Sequence, residues 1–305
     1  MNQERPQLSG FKVLDLEDKN QISPLLRADP PRISELTFTN LFMWRHHYRP
    51  CWRIYENCLL VVFHPADGQA PFGLPPQGPG DKAAALDFLM QDMDQAGLSP
   101  RVCRAGADFL QKHLVAGRYE AVADPVNSDY VYLTSDLINL SGRKFHQKKN
   151  HLNKFLKNYT FEYRKLDEAL VGSVLSLQDA WCELKNCEEN PSLLDEDHAI
   201  FEALRHFGDL GFIGGVILIQ GKVEAFSLGE ALNPNTAVIH IEKANPEIPG
   251  LYAAINQQFC QHAWAEMEFV NREQDLGLEG LRAAKQSYNP HHLEEKYIVR
   301  PAGRG

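Results

Sequence analysis

The sequence predicts an α/β (α+β) protein of two tandem domains, each a mostly antiparallel, mixed sheet flanked by helices. Two observations carry this. The order strand hairpin, loop, long helix, strand, helix, strand occurs twice along the chain, as a repeat of pattern without visible residue identity. The 305 residues also amount to two domains of ~150 each. With 44% apolar and 23% charged residues the composition is that of a soluble chain with a sizeable core.

In the first half, "SELTFTNLFMWRHHY" predicts a helix with Ser34 as its N-cap. "CWRIY-EN-CLLVVF" predicts a hairpin turning at Glu56-Asn57. The loop "GLPPQGPG" (Gly73 to Gly80) leads to Asp81, the expected cap of the helix "KAAALDFLMQDMDQAG", which Gly97 ends. "PRVCR", "ADFLQKHLV", "YEAVAD" and "DYVYLT" then predict strand, helix and a strand pair. The second half repeats this order. "FIGGVILI-QG-KVEAFSLGEAL" is a hairpin, "AVIHIEKA" a third strand, "NPEIPG" a loop and "LYAAINQQFCQHAWAEM" a helix. The strand "EFVNRE", the helix "GLEGLRAAKQSY" and the strand "KYIVR" close it. The expected organisation is 1–140, a basic connecting helix at 141–160, and 161–305 with the active site.

Several function classes are excluded or disfavoured. The longest apolar stretch, "FIGGVILI", has about eight residues, against the ~20 that a membrane helix needs. "MNQERPQLSG" lacks the apolar core of a signal peptide, so the expected location is cytoplasmic. Six cysteines are too few for a disulfide framework in a chain this long. Cys182 and Cys187 show C-x4-C spacing with His198 downstream. Without a second ligand pair this reads as reduced thiols rather than zinc, and no metal is expected. A formal net charge of −9 argues against nonspecific nucleic-acid coating.

Against that acidity, "GRKFHQKKNHLNKFLKNYTF" (Gly142 to Phe161) holds six lysines and arginines, two histidines and no carboxylate. On a helix Phe145, Leu152, Phe155 and Leu156 share one side, leaving most of the cations in water or facing a ligand. A solvated connector fits this pattern. So does an anion-holding surface, and the lack of acids from Leu137 to Phe161 favours the latter. Arg143, Lys144, Lys148, Lys149 and Lys154 are the expected anion-binding residues.

"HIEKANPEIPGLYAAINQQF" (His240 to Phe259) is a strand, a Pro/Gly loop and a helix, and a helix N-terminus after a strand suits an anion. The N-acetyltransferase (GNAT) fold grips coenzyme A there with a Q/R-x-x-G-x-G/A loop. Here Gly250 stands alone among prolines, which argues against acyl-CoA, and no cofactor is expected. In "NREQDLGLEGLRAAKQSYNPHHLEEKY", Asn271 and Asp275 lie between a strand and a helix. Arg282 and Lys285, three apart, share a helix side and could neutralise a phosphate or an oxyanion; a surface pair bonded to Glu279 and Glu294 is the other reading.

"IEKANPEIPG", "NREQDLG", "GLRAAKQSYNP" and "EKY" resemble the C-terminal catalytic domain of the phosphatidylglycerol lysyltransferases, and more closely the stand-alone soluble proteins of that superfamily. "DYVYLTSDLINLSGRKFHQKKNHLNKF" resembles their central motif. The matches cover most of Asp129 to Val299. The resemblance implies two GNAT-like domains and transfer of an aminoacyl group from a charged tRNA to a lipid or small-molecule hydroxyl or amine. It also implies that the anion expected at the basic residues is tRNA. The motif "GLR-x-F-K" falls on Gly280, Leu281, Arg282 and Lys285, with Ala284 in place of the aromatic, and implies that Lys285 reaches the reacting centre or a phosphate. The lipid transferases' Asp-x-x-Arg falls on His240 and Lys243. Glu242 would supply a carboxylate, but strand alternation points it away from Lys243 and Ile241. The expected catalytic set is Lys285, Arg282, Glu242 and Asp275. The expected substrate-binding set is His240, Lys243, Gly250, Tyr252, Asn271 and Tyr288. An acyl-CoA-dependent N-acyltransferase and a non-catalytic binding module on a degenerate transferase fold are the alternatives, and the sequence leaves the oligomeric state open.

Overall fold

The structure, a computed structural model, describes residues 8–303. The signal-peptide reading rests largely on residues 1–7, outside that range. Among the described residues no helix is long and apolar enough to cross a membrane. The chain divides into two compact units, Met1–Ser128 with Glu294–Gly305, and Asp129–Leu293.

The first unit is built on β1 (Lys12–Val13), β2 (Cys51–Tyr55), β3 (Cys58–Phe63), β4 (Phe72–Gly73), β5 (Val102–Gly106) and β6 (Tyr119–Ala123), with helices α1 (Lys19–Ala28), α2 (Phe38–Met43), α3 (Arg45–Tyr48), α4 (Lys82–Gln95) and α5 (Ala107–His113). The second contains β7 (Asp129–Leu133), α6 (Thr134–Asn139), α7 (His146–Asn158), β8 (Phe161–Lys165), α8 (Glu168–Lys185), α9 (Pro191–Arg205), α10 (Phe207–Leu210), β9 (Ile213–Ile219), β10 (Lys222–Asn233), β11 (Thr236–Ala244), α11 (Leu251–Ala263), β12 (Phe269–Asn271) and α12 (Glu279–Gln286). After β13 (His292–Glu294), β14 (Lys296–Pro301) closes the chain. The sheets run β1-β2-β3-β4-β5-β14-β6 and β13-β7-β12-β11-β10-β9-β8.

The two GNAT-like α/β designs are therefore present, but their boundaries are not at 140 and 160. "DYVYLT" belongs to the second sheet, where β7 pairs antiparallel with β12. "KYIVR" returns to the first, where β14 lies between β5 and β6. Each half of the chain supplies its last strand to the other unit's sheet, which a reading of element order alone cannot reveal. The basic helix is not a connector either. α7 lies within the second unit, with Phe145, Leu152 and Phe155 buried in a core that includes Tyr132, Leu251 and Phe259. Leu156, expected on that face, is exposed.

Local chemistry explains the element boundaries. Glu56 and Asn57 turn the first hairpin with φ of 44° and 65°, the left-handed pair a two-residue hairpin needs. Asp81 caps α4 by accepting from the Ala83 and Ala84 amides. The cap of α2 is Thr37, whose hydroxyl accepts from the Asn40 amide; Ser34 lies upstream, fully buried. Cys182 and Cys187 are joined as a disulfide at the end of α8, correcting the reduced-thiol reading. Among the described residues no His/Cys/Asp/Glu group could hold a metal ion.

Candidate active site

In the second sheet β11 and β12 run parallel for three residue pairs, Thr236↔Phe269 to Val238↔Asn271. Beyond them β11 continues to Ala244 paired only with β10, so the sheet opens into a wedge on the β12 side. A β-bulge sets which side chains face it. On β10, Leu228 opposes Ile241 but Gly229 opposes Ile239, leaving His240 as the extra residue. The bulge shifts the alternation by one. Ala237 and Ile239 lie in the core with α11, as does Ala244, and Glu242 turns to the same helix, where Asn256 donates to its Oε2 at 2.9 Å. Lys243 points to the other face, with its Nζ 2.6 Å from Glu196 and 3.7 Å from the Trp181 ring centroid. Gly229 permits the bulge, because a Cβ there would lie 2.4 Å from the Val238 carbonyl oxygen.

The residue that organises the wedge is Arg272, just past β12. Its Nη2 donates to Glu242 Oε1 at 2.9 Å, and its guanidinium lies 4.7 Å and 5.7 Å from the ring centroids of Tyr288 and Tyr132. Among the described residues its buried Nη1 has no hydrogen-bond partner, while the guanidinium also acts on the Tyr288 phenol, lowering its pKa against burial. Burial, the largest single influence, works against its charge, but Glu242 together with Tyr132, Tyr288 and Cys260 outweighs it and raises its pKa.

Lys285 projects from α12 and is 9% exposed. Its Nζ donates to the backbone carbonyls of Arg272 and Glu273. Burial, and after it the Arg272 charge, hold its pKa down to about 8. Lys148 of α7 reaches the same group, with its Nζ 4.2 Å from the Tyr288 ring centroid; burial and then Arg272 lower its pKa as well. Tyr288 is 5% exposed, and burial raises its phenol pKa. Arg272 and Lys148 thus meet at Tyr288, Lys285 is bonded to the Arg272 backbone, and Glu242 is the carboxylate bonded directly into the group.

A second layer fixes the 271–275 turn. Asn271 donates to Asp129 Oδ2, with both residues fully buried on β12 and β7, and accepts from the Glu273 amide. His240 lies between two carboxylates, with Nδ1 2.8 Å from Glu273 Oε1 and Nε2 3.0 Å from Glu230 Oε1. Burial alone would lower its pKa, yet Glu230 and Glu273 raise it to about 9, so both ring nitrogens donate. Asp275 accepts from Arg282 Nε at 2.8 Å, from the Tyr130 hydroxyl at 2.7 Å and from the Gly277 amide at 2.8 Å. Burial opposes its ionisation, but these donors, Arg282 first, bring its pKa below the usual range.

The expected site residues therefore separate. Glu242, Lys285, Tyr288 and Lys148 come together at the wedge. His240 and Asn271 support the turn beside it, and Arg282 and Asp275 form an ion pair with each other rather than with Glu279 or Glu294. Lys243 and Tyr252 form a separate cluster in which Trp181 Nε1 donates to the Tyr252 hydroxyl at 3.0 Å. Gly250 (φ 87°) starts α11 under α7; a Cβ there would lie 2.3 Å from the His151 carbonyl oxygen. Of the basic residues, Lys144 pairs with Asp136 and Arg143, Lys149 and Lys154 are exposed. Arg272, Tyr132 and Asn256 were not anticipated. An arginine directly following a strand as apolar as "FV" was the available signal for the first.

The family described as "Phosphatidylglycerol lysyltransferase, C-terminal" matches residues 28–300. The chain belongs to this family. A conserved protein of unknown function from Bacteroides thetaiotaomicron is 33% identical, with a TM-score of 0.88 over 95% of this chain and 98% of that one. The C-terminal domain of a putative lysylphosphatidylglycerol synthetase from Agrobacterium fabrum is 15% identical, with a TM-score of 0.67 over 93% and 91% of the two chains. L-PGS from Bacillus licheniformis is 14% identical, with a TM-score of 0.67 over 94% and 93%. At these identities the last two establish the fold. This phosphatidylglycerol lysyltransferase C-terminal family member thus has an aminoacyl-transferase fold, with Lys285 of the family-like "GLR-x-x-K" helix motif inside the wedge.

Proposed function

We propose that this protein is an acyltransferase that moves an aminoacyl group from an aminoacyl-tRNA to a hydroxyl or amine of a lipid headgroup or small molecule, and that the β11–β12 wedge is where it does so. The observation that carries this reading is a pair of buried cations: the Lys285 ammonium, bonded to the Arg272 and Glu273 backbone carbonyls, and the Arg272 guanidinium, whose Nη1 has no hydrogen-bond partner among the described residues. Both are donors held out of water, where stabilisation of a developing oxyanion is strongest. The acceptor oxygen or nitrogen attacks the ester carbonyl and the carbonyl oxygen becomes an oxyanion facing these donors. The carbonyl then re-forms, the bond to the tRNA ribose oxygen breaks, and the acceptor's proton ends on that oxygen. Glu242 and Asn256 hold the Arg272 guanidinium in place.

The α11 loop speaks against an acyl-CoA donor. Its single glycine is occupied in packing against the His151 carbonyl, and an added carbonyl dipole beside a helix N-terminus disfavours pyrophosphate. The exposed cations Arg143, Lys149 and Lys154 on and beside α7 are suited to tRNA phosphates.

Two variants separate the roles. Replacing Arg143, Lys149 and Lys154 together is expected to weaken tRNA binding and to flatten its log–log salt dependence by ~0.7–0.9 per lost phosphate contact. Lys285→Ala is expected to slow transfer while leaving tRNA affinity and its salt slope unchanged. If saturable coenzyme A binding in calorimetry is found in place of tRNA binding, the acyl-CoA reading replaces this one. If neither donor binds, the fold serves a non-catalytic role.

A further inference from the structure

The first unit contains a cavity of about 250 Å³ that the transfer chemistry does not use. It lies where β4 and β5 part. These strands pair in parallel at Gly73↔Val102 alone. The chain after β4 then follows β3, bridging Leu59↔Gln77, while β5 follows β14 to Gly106. Ile33, Leu36 and Phe109 give the cavity an apolar floor, and Lys82, Lys112 and His113 reach it from α4 and α5. The volume equals about eight waters at ~30 Å³ each, which suits a molecule of roughly ten non-hydrogen atoms.

The charge around the cavity is not evenly shared. Lys82 is paired with Asp29, but Asp29 Oδ2 also accepts from Gln77 Nε2 at 2.7 Å and from the Gly78 amide at 3.0 Å. One carboxylate therefore serves three donors, and the Lys82 ammonium keeps donors to spare. Lys112 has Asp108 at 3.7 Å, at the edge of an ion pair, and is largely exposed. His113, in ring contact with Phe109, faces both lysines and both carboxylates. Burial first, then Lys82 and Lys112, lower its pKa; Asp29 and Asp108 oppose this and lose. A half-buried imidazole facing two lysines in an apolar-floored cavity is stabilised in its charged form by an incoming anion.

We propose that this cavity binds a small organic anion, a carboxylate or phosphate ester on a short carbon frame, with Lys82, Lys112 and His113 as its charge partners. Bound charge relieves the repulsion on His113, so binding raises the imidazole pKa, and affinity rises as pH falls through it.

The test uses the full chain with succinate and glycerol 3-phosphate as probes, calorimetry for binding, and the His113 C–H resonance, identified by its loss in His113→Asn, for titration. The expected result is one saturable site for at least one probe, an upward shift of the His113 midpoint on binding, and about threefold weaker binding in Lys112→Met. Tighter binding of succinate assigns the anion as a carboxylate, and tighter binding of glycerol 3-phosphate as a phosphate ester. Lys112 is exposed enough that its variant folds independently of the outcome. Absence of saturable binding of both probes up to ~10 mM overturns the proposal. So does binding that leaves the His113 midpoint unmoved and is unchanged in Lys112→Met.

Discussion

The two units part a parallel strand pair in the same way and fill the gap differently. β4 and β5 share one register pair, and the space beyond them is an open cavity edged by partly exposed charges. β11 and β12 share three, and the space beyond them holds Arg272, Glu242, Lys285 and two tyrosines, all withdrawn from water. The loops leaving the gaps use glycine alike. Gly78 and Gly80 lie against the Asn57 and Glu56 carbonyls, where a Cβ would approach to 2.3 Å and 2.0 Å, and Gly250 lies against that of His151. Glycine in both loops thus serves backbone packing, and what distinguishes the units is the charge buried beside it. Low dielectric makes the second wedge suited to stabilising a transition state, while the first is suited to holding a ligand.

The largest effect that sharpens this contrast is on stability. Arg272→Met leaves the Glu242 carboxylate without its ion-pair partner, with only Asn256 still donating to it, and should cost about 3–5 kcal/mol in denaturant unfolding. Lys112→Met in the first unit should cost less than about 1 kcal/mol. Equal costs would erase the distinction between the two wedges. Next is Gly250→Ala, which combines a positive φ with the 2.3 Å approach to His151 and should destabilise the second unit by about 1–3 kcal/mol.

Effects of comparable size, up to about 3 kcal/mol, appear in the pH dependence. The Lys285 pKa in the folded chain, about 8, lies below its ordinary 10.5. Between these values the unfolded chain binds the extra proton, so stability rises with pH across that window, and Lys285→Met removes the rise. His240 has the opposite sign. Raised from 6.5 to about 9, it stabilises fully below 6.5 and loses that contribution as pH climbs through 9. His240→Gln should abolish this fall, which urea midpoints from pH 6 to 10 would reveal. The smallest change in stability, within ~0.5 kcal/mol, is expected from neutralising Arg143, Lys149 and Lys154, whose effect belongs to salt-dependent tRNA binding.

Much of the fold was legible because it is local. Asp81 and the Glu56-Asn57 and Gln220-Gly221 turns announced their elements through capping and left-handed backbone. The core face of α12 was not legible from its leucines: Leu278 and Leu281, which an apolar stripe would turn to the core, are exposed, and Lys285 is the buried residue. The exchange of β7 and β14 was not legible, since either strand reads the same whichever sheet it joins. Within the site, Glu242 was readable as a carboxylate facing away from Lys243. That it faces α11 depends on the bulge at His240, a registry feature set by Gly229 across the sheet. Arg272 escaped notice because its role comes from Tyr132, Glu242 and Tyr288, all distant in sequence. Arg282 and Asp275 looked chemical and turned out to satisfy each other.

The most direct test of the account is the rate at which the protein releases the aminoacyl group from a mixture of charged tRNAs, measured under single-turnover conditions with phosphatidylglycerol vesicles, or hydroxylamine as a surrogate amine. The account predicts that the native protein accelerates transfer and that Lys285→Ala lowers the rate by about 10²–10³ without altering tRNA affinity. No acceleration by the native protein with either acceptor, or a Lys285→Ala protein as fast as the native one, would contradict it.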